Sequence, residues 1–220
     1  MTERTEPSSE LDRAAEEAGF YQEAALNAAW SGSRIALGAL SFLYGAFAFA
    51  YFYLRSINSE GRWEGSGYHA PPMAMGTVIA ALVVVSAIVQ YVGLRRIKGG
   101  AKGAWQAAAA VALLLGLVAV ALQIVDLLNL PFAPGSSGFS SVFTGFYPVI
   151  LVSWLGAMIW LEILVMRARA LPGIFFVEQP PTYAEAFAVQ RFQSSLSAFT
   201  LIWNYLAVVT VIFWVLFYLL

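Results

Sequence analysis

The chain has 220 residues, of which 60% are hydrophobic and only 11% are charged. Soluble domains average about 25% charged residues, so this composition excludes a water-soluble globular protein and indicates that the solvent is lipid. The 12 basic and 13 acidic residues nearly cancel, which leaves no basic field for nucleic acid. We therefore expect no nucleic-acid partner.

Metal-ligating residues are scarce in this chain. It contains no Cys and a single His, His69. Haem, copper and catalytic zinc usually take several imidazole or thiolate ligands, so the chain is a poor candidate to hold such a metal alone. We expect it to supply no catalytic residue and to bind no cofactor or metal itself.

Residues 1–33 are polar and rich in acidic residues. Ser8 or Ser9 can cap a helix, and Leu11, Ala14 and Ala18 give a weak apolar face. We interpret residues 1–33 as an acidic cytoplasmic tail containing a short surface helix. It precedes a membrane domain at residues 34–220.

Five apolar stretches follow, at about residues 35–54, 73–94, 104–130, 142–166 and 196–220. A helix rises 1.5 Å per residue, so about 20 residues cross a hydrocarbon core of about 30 Å. Each stretch reaches that length and is apolar on every side, unlike the alternating strands of a membrane barrel. The sequence predicts an all-α bundle of five transmembrane helices.

The Lys and Arg residues predict how this bundle is oriented. Most of the 12 lie in the N-terminal segment or in the connections after spans two and four, namely Arg4, Arg13, Arg34, Arg95, Arg96, Lys98, Lys102, Arg167, Arg169 and Arg191. The connections after spans one and three hold only Arg55 and Arg62. Because positive residues are retained on the cytoplasmic side, we expect a cytoplasmic N-terminus and an external C-terminus.

Polar residues within the spans are candidate functional positions, since an ionised group near the bilayer centre costs about 2.5–3.5 kcal/mol on insertion scales. Gln123, Asp126 and Asn129 follow one another at three-residue spacing, which puts them on nearly one side of span three. Asp126 has two open interpretations. It is either a structural group relieved by interfacial water or another subunit, or a proton-accessible or subunit-contact carboxylate.

A second carboxylate, Glu162, lies about one turn from the cytoplasmic end of span four. Arg167 and Arg169 follow it in the chain, and Arg95 ends span two. We expect an interfacial ion pair here rather than chemistry. The aromatic residues of the last span, which include Trp203, Tyr205 and Tyr218, are typical of packing against lipid or a partner.

Five short motifs occur within or beside the predicted spans. Span one closes with Ala-Tyr-Phe-Tyr-Leu-Arg at residues 50–55, and Pro71-Pro72 precede span two. Residues 122–129 read Leu-Gln-Ile-Val-Asp-Leu-Leu-Asn, residues 143–147 read Phe-Thr-Gly-Phe-Tyr, and residues 203–209 read Trp-Asn-Tyr-Leu-Ala-Val-Val. Together they resemble subunit III of the haem–copper oxidases, the cytochrome c and quinol oxidase family. The resemblance covers about residues 35–220 and is to the short, five-helix form.

Several polar positions depart from the family pattern. Asp126 stands at the family's acidic position, but Tyr147 and Asn204 each stand where the family has His, and Ala207 stands for an Asp. The family's membrane-embedded Glu is absent, because its place falls at about Ala39-Leu40. We therefore treat Tyr147 and Asn204 as candidate polar or subunit-contact positions and transfer no family role to them.

The resemblance implies an accessory, cofactor-free subunit of a respiratory terminal oxidase in a prokaryotic plasma membrane. In that family, haem and copper belong to subunit I, and subunit II receives the electrons. Subunit III packs on subunit I, binds membrane phospholipids and supports sustained proton-coupled oxygen reduction. The expected partners are thus oxidase subunits I and II and phospholipids.

Two alternatives stay open. One is a subunit III homologue of a quinol oxidase or of a nitric oxide reductase. The other is an independent small multi-pass transporter or lipid-binding membrane protein, although the internal repeats common in transporters are not evident in the sequence.

Overall fold

The computed structural model describes residues 7–58, 61–65, 70–176, 178 and 180–220, and His69 lies outside them. The regular structure of these described residues is helical, with α1 Pro7–Ser56, α2 Met73–Lys98, α3 Lys102–Leu128, α4 Gly138–Arg169, a short 3₁₀ turn Gly173–Phe176 and α5 Tyr183–Tyr218. All five α-helices are long and apolar enough to cross a membrane. This confirms the predicted all-α chain with five candidate spans.

The first and last helices are longer than the apolar stretches that predict them. α1 runs without a break through 50 residues, and α5 has 36 residues and begins at Tyr183 rather than near Leu196. At 1.5 Å per residue the 50 residues of α1 span about 75 Å, far more than a hydrocarbon core. The polar residues from Pro7 onward thus extend the first span as one helix. Their Ala and Glu content favours helix and no Pro interrupts them before the span, so a separate surface helix does not form there.

α5 packs against α1, α2 and α4 and is the most buried of the five candidate spans. α2 pairs closely with α3, and α4 packs against both α3 and α1. The side chains of Phe199, Trp203 and Leu206 on α5 are fully buried or nearly so. The ring of Trp203 meets the ring of Trp154 on α4 edge to face, with centroids 4.9 Å apart. The interior of the bundle is therefore largely apolar and aromatic.

The helices end in two layers, which we term the basic end and the aromatic end. The basic end contains the junction of α2 with α3, the end of α4 and the first part of α5. There the Nζ atom of Lys102 donates hydrogen bonds to the carbonyl oxygens of Arg169, at 3.4 Å, and Leu171, at 2.5 Å. At the aromatic end Trp63 folds onto Tyr51 and Phe139, with ring centroids 5.0 and 5.7 Å away.

Close packing of α2 against α3 depends on a small residue. A Cβ atom built on Gly93 would lie 2.9 Å from the Cβ of Ala108 and 3.2 Å from Cδ1 of Trp105. Seven residues before Gly93, Ser86 Oγ donates a hydrogen bond of 2.9 Å to the carbonyl oxygen of Ala112. A larger residue at position 93 would push the two helices apart.

We predict that Gly93→Val lowers the midpoint of thermal unfolding in mild detergent, since overpacking a well-packed interior costs about 1–3 kcal/mol. Gly156→Val is the matched control, because a Cβ atom on Gly156 of α4 meets nothing within 4 Å. Both variants introduce the same side chain into a helix. Equal midpoints for the two would contradict the packing described here.

Candidate functional site

A buried carboxyl group lies in the last turn of α3, at the aromatic end. Asp126 is 3% exposed, and its Oδ2 accepts a hydrogen bond of 3.5 Å from the hydroxyl of Tyr218 on α5. The hydroxyl of Tyr218 lies 2.8 Å from the hydroxyl of Tyr147 on α4. Three helices thus contribute one polar group each. We term Asp126, Tyr147 and Tyr218 the Asp126 cluster.

The direction of the hydrogen bonds in this cluster follows from its chemistry. An ionised carboxylate only accepts, whereas a phenol has one proton to donate. When Tyr218 donates to Asp126, its oxygen must accept from Tyr147. The cluster is then a short chain that runs from Tyr147 through Tyr218 and ends on Asp126.

The rings of both tyrosines are held firmly. Tyr147 is 6% exposed and stacks on Phe143, with ring centroids 4.2 Å apart. Tyr218 lies against the first turn of α2, where a Cβ atom on Gly76 would collide with Cζ of the Tyr218 ring. Only glycine fits at position 76 with the tyrosine ring in this place, so α2 also shapes the cluster.

Little space remains around these groups. A cavity of about 20 Å³ is bordered by Gly76, Gln123, Tyr147 and Tyr218, among others. That volume suits roughly one water molecule, which needs about 10–15 Å³ of probe-occupied space. The cluster can hold a proton and bind helix ends together, but this cavity cannot admit a substrate. The geometry favours a structural role for Asp126, but its hydrogen-bond partner is Tyr218 of the same chain and not the interfacial water or other subunit that we expected from the sequence.

Two of the three residues spaced along span three face this region. Gln123 is 6% exposed and borders the small cavity. Asn129 does not join them, because α3 ends at Leu128 and Asn129 is its C-cap. Its side-chain Nδ2 donates a hydrogen bond of 2.7 Å to the carbonyl oxygen of Val125. Asn129 therefore finishes the helix instead of extending the polar face.

The structure brings neither of the other candidates to the cluster. Glu162 is exposed on α4 and forms no ion pair with any residue the structure describes. The expected pair with Arg167 is absent because a five-residue separation turns the two side chains about 140° apart on a helix. Arg169 faces a similar direction but lies about two turns further on.

Asn204 occupies a different surface. It is half-buried on α5 and borders a groove of about 430 Å³ between α2 and α5, together with Val84, Tyr91, Ala207 and Ile212 among others. Its side chain makes no hydrogen bond within the described part of the chain. Asn204 is thus a polar group on an otherwise apolar face of the bundle.

The sequence pattern missed Tyr218 and Gly76 as members of the site. Tyr218 is one of the aromatic residues of the last span, and that pattern predicts packing alone. A usable signal did exist, because Asp126 and Tyr218 both lie within about one turn of helix ends that the predicted topology places on the same side. Which residues meet still depends on how α3 and α5 each pack against α4.

Comparison with protein-family models and with curated proteins gives no match for this chain. Among the residues that the structure describes, no three His, Cys, Asp or Glu side chains gather into a potential metal-binding group.

We predict that Tyr218→Phe and Asp126→Asn destabilise the chain non-additively. Each breaks the same hydrogen-bond chain, so after the first change the second should cost less, with a coupling of about 1 kcal/mol. The measurement is a double-mutant cycle of unfolding free energies in mild detergent.

Tyr53→Phe is the control for loss of a tyrosine hydroxyl at the same end, since Tyr53 is 53% exposed. It should leave stability unchanged. Strict additivity of Tyr218→Phe with Asp126→Asn would show that the two groups do not interact.

Proposed function

We propose that this chain is an accessory, cofactor-free subunit III of a prokaryotic haem–copper terminal oxidase of the cytochrome c oxidase type. It packs on the catalytic subunit in the plasma membrane and stabilises the complex during proton-coupled oxygen reduction. Support comes from the order of the five motifs along the spans and from the surface that α1 leaves free.

The free surface of α1 is the observation that carries this proposal. Ile35, Phe42 and Phe49 recur every seven residues and are 76%, 83% and 69% exposed, so they lie on one side of the helix. Cβ atoms on Gly38 and Gly45 would meet nothing within 4 Å. We term these five residues the outer face of α1.

A face of this kind suits another helix. Small residues let two helix backbones approach closely in a membrane, and the large side chains beside them form a ridge that can interdigitate with a partner. In the most apolar 18-residue stretch of α1, only 11% of the residues are buried by the rest of the chain, against 50% in the corresponding stretch of α5. In the family that the motifs resemble, the corresponding helix packs on the catalytic subunit.

The proposed orientation places the basic end in the cytoplasm, in accord with retention of positive residues on that side. The Asp126 cluster then lies near the outer surface, where it fastens α3, α4 and α5 together. Its role is to stabilise the fold. Haem and copper belong to the partner subunit I in this proposal, and electrons arrive through subunit II.

The test is purification through a tag on the N-terminal segment in mild detergent, followed by an optical spectrum and identification of the proteins that copurify. We predict that haem and a histidine-rich multi-span partner copurify with the chain. Gly45→Leu fills the outer face and should reduce the copurified haem at least tenfold. Gly156→Leu, which also enters open space, should leave it unchanged.

Each other outcome assigns a different function. A partner that oxidises quinol or reduces nitric oxide would place the chain in one of those complexes. A stable haem-free chain that moves a solute across vesicles would contradict the proposal and support an independent transporter.

A further inference from the structure

The groove that Asn204 borders, between α2 and α5, is open to the outside of the bundle. Its floor includes the small residues Ala87 and Ala207, which are 9% and 5% exposed. Its walls include Ile88 and Val208, which are 58% and 56% exposed. We term it the α2–α5 groove. Large side chains beside small ones form the ridges and grooves by which membrane helices pack.

Contacts between α2 and α5 show how deep Asn204 lies. Near the aromatic end, the indole nitrogen of Trp214 donates a hydrogen bond of 3.2 Å to Oγ1 of Thr77. As the second and fifth spans, the two helices run in opposite directions, so Asn204, ten residues before Trp214, lies level with about residue 87 of α2. Arg95 is eight residues further along α2, which is about 12 Å at 1.5 Å per residue. Asn204 therefore lies within the hydrocarbon core, below the level of the lipid headgroups.

An amide group at this depth needs a hydrogen-bond partner. The side chain of Asn204 makes no hydrogen bond within the described part of the chain, and an unpaired amide in hydrocarbon is unfavourable. An acyl chain carries no polar atom at this depth and cannot supply the partner. An amide both donates and accepts hydrogen bonds, so a second amide is a complete partner for it.

Symmetry places such an amide at the right depth. Two copies of the chain that share one topology can be related by a twofold axis along the membrane normal, and equivalent residues then lie at equal depth. Asn204 of one copy faces Asn204 of the other, and each Nδ2 donates to the Oδ1 of its counterpart. None of the described residues that border the groove is charged, so this self-facing surface brings no like charges together.

We propose that the α2–α5 groove is the interface of a homodimer. The α5 wall of each copy, formed by Val208 and Ile212, enters the groove of the other copy and contacts its floor, and the two Asn204 side chains hydrogen-bond to each other. The interface shares no residue with the outer face of α1. It therefore goes beyond the proposed function, and the dimer forms whether or not another protein covers α1.

Single-cysteine crosslinking in native membranes tests this proposal, since the chain has no Cys of its own. Val208→Cys lies one turn from Asn204 and should give a disulfide-linked homodimer with a membrane-permeable oxidant. Leu114→Cys is the matched control, because Leu114 is 62% exposed on α3 and lies at about the same depth, counted from the hydrogen bond between Ser86 and the carbonyl oxygen of Ala112. The control should give at least tenfold less homodimer.

A second pair of variants tests the amide itself. Asn204→Leu keeps a side chain of similar size and should lower the dimer association constant in mild detergent about fivefold, which corresponds to the loss of about 1 kcal/mol. Asn204→Gln retains an amide and should keep most of the dimer. Both variants should unfold at the midpoint of the unmodified chain, because Asn204 has no partner within the described residues.

Three results would overturn the proposal. They are equal crosslinking at positions 208 and 114, an association constant that Asn204→Leu leaves unchanged, and crosslinks from position 208 that join the chain only to a different protein. Copurification of haem does not bear on any of them, so the dimer and the proposed function can fail independently.

Discussion

In lipid, a buried carboxyl group must find its partners within the protein, and Asp126 finds them through Tyr218. That hydroxyl sits at the end of α5 and faces Asp126 of α3 and Tyr147 of α4. Because α5 also packs against α1 and α2, the Asp126 cluster links α3 and α4 to a helix that both of the others contact. Gly76 completes the arrangement by letting the tyrosine ring lie against α2.

Elsewhere the interior depends on shape more than on polar pairing. Gln90 is fully buried on α2, and neither its amide oxygen nor its nitrogen has a hydrogen-bond partner among the described residues. The buried indole nitrogens of Trp105 and Trp203 also have no hydrogen-bond partner among the described residues. Packing of aromatic rings and small residues therefore stabilises these parts of the bundle, consistent with the modest contribution that hydrogen bonds make between membrane helices.

Much of the fold could be predicted from the sequence because span length and hydropathy are local properties. The five helices follow directly from them. The early start of α5 could not be found this way, because the segment from Tyr183 to Leu196 carries Glu185 and Arg191 and is not continuously apolar. The course of α1 through its polar half was missed for the same reason.

Only part of the candidate site could be predicted from the sequence. Three-residue spacing correctly put Gln123 and Asp126 on one buried face, but it could not show that α3 ends before Asn129. Tyr218 is 92 positions from Asp126 in the chain, and no local pattern joins them. The contact depends on the packing of α3 against α4 and of α4 against α5, which are properties of the assembled bundle.

The two ends of the bundle thus differ in structure. The aromatic end is closed and holds the helices together, whereas the basic end carries exposed arginines beside an open pocket. Between them the outer face of α1 runs along the candidate span with no partner among the residues that the structure describes. An accessory subunit needs such a face, and we propose that another protein covers it.

Photo-crosslinking in native membranes tests directly whether the outer face of α1 contacts another protein. A benzoylphenylalanine residue replaces either Phe42, which is 83% exposed on α1, or Leu114, which is 62% exposed on α3. We predict that position 42 gives one discrete adduct with a multi-span protein of a haem-containing complex, while position 114 gives mainly lipid adducts. Lipid adducts alone at both positions would contradict it.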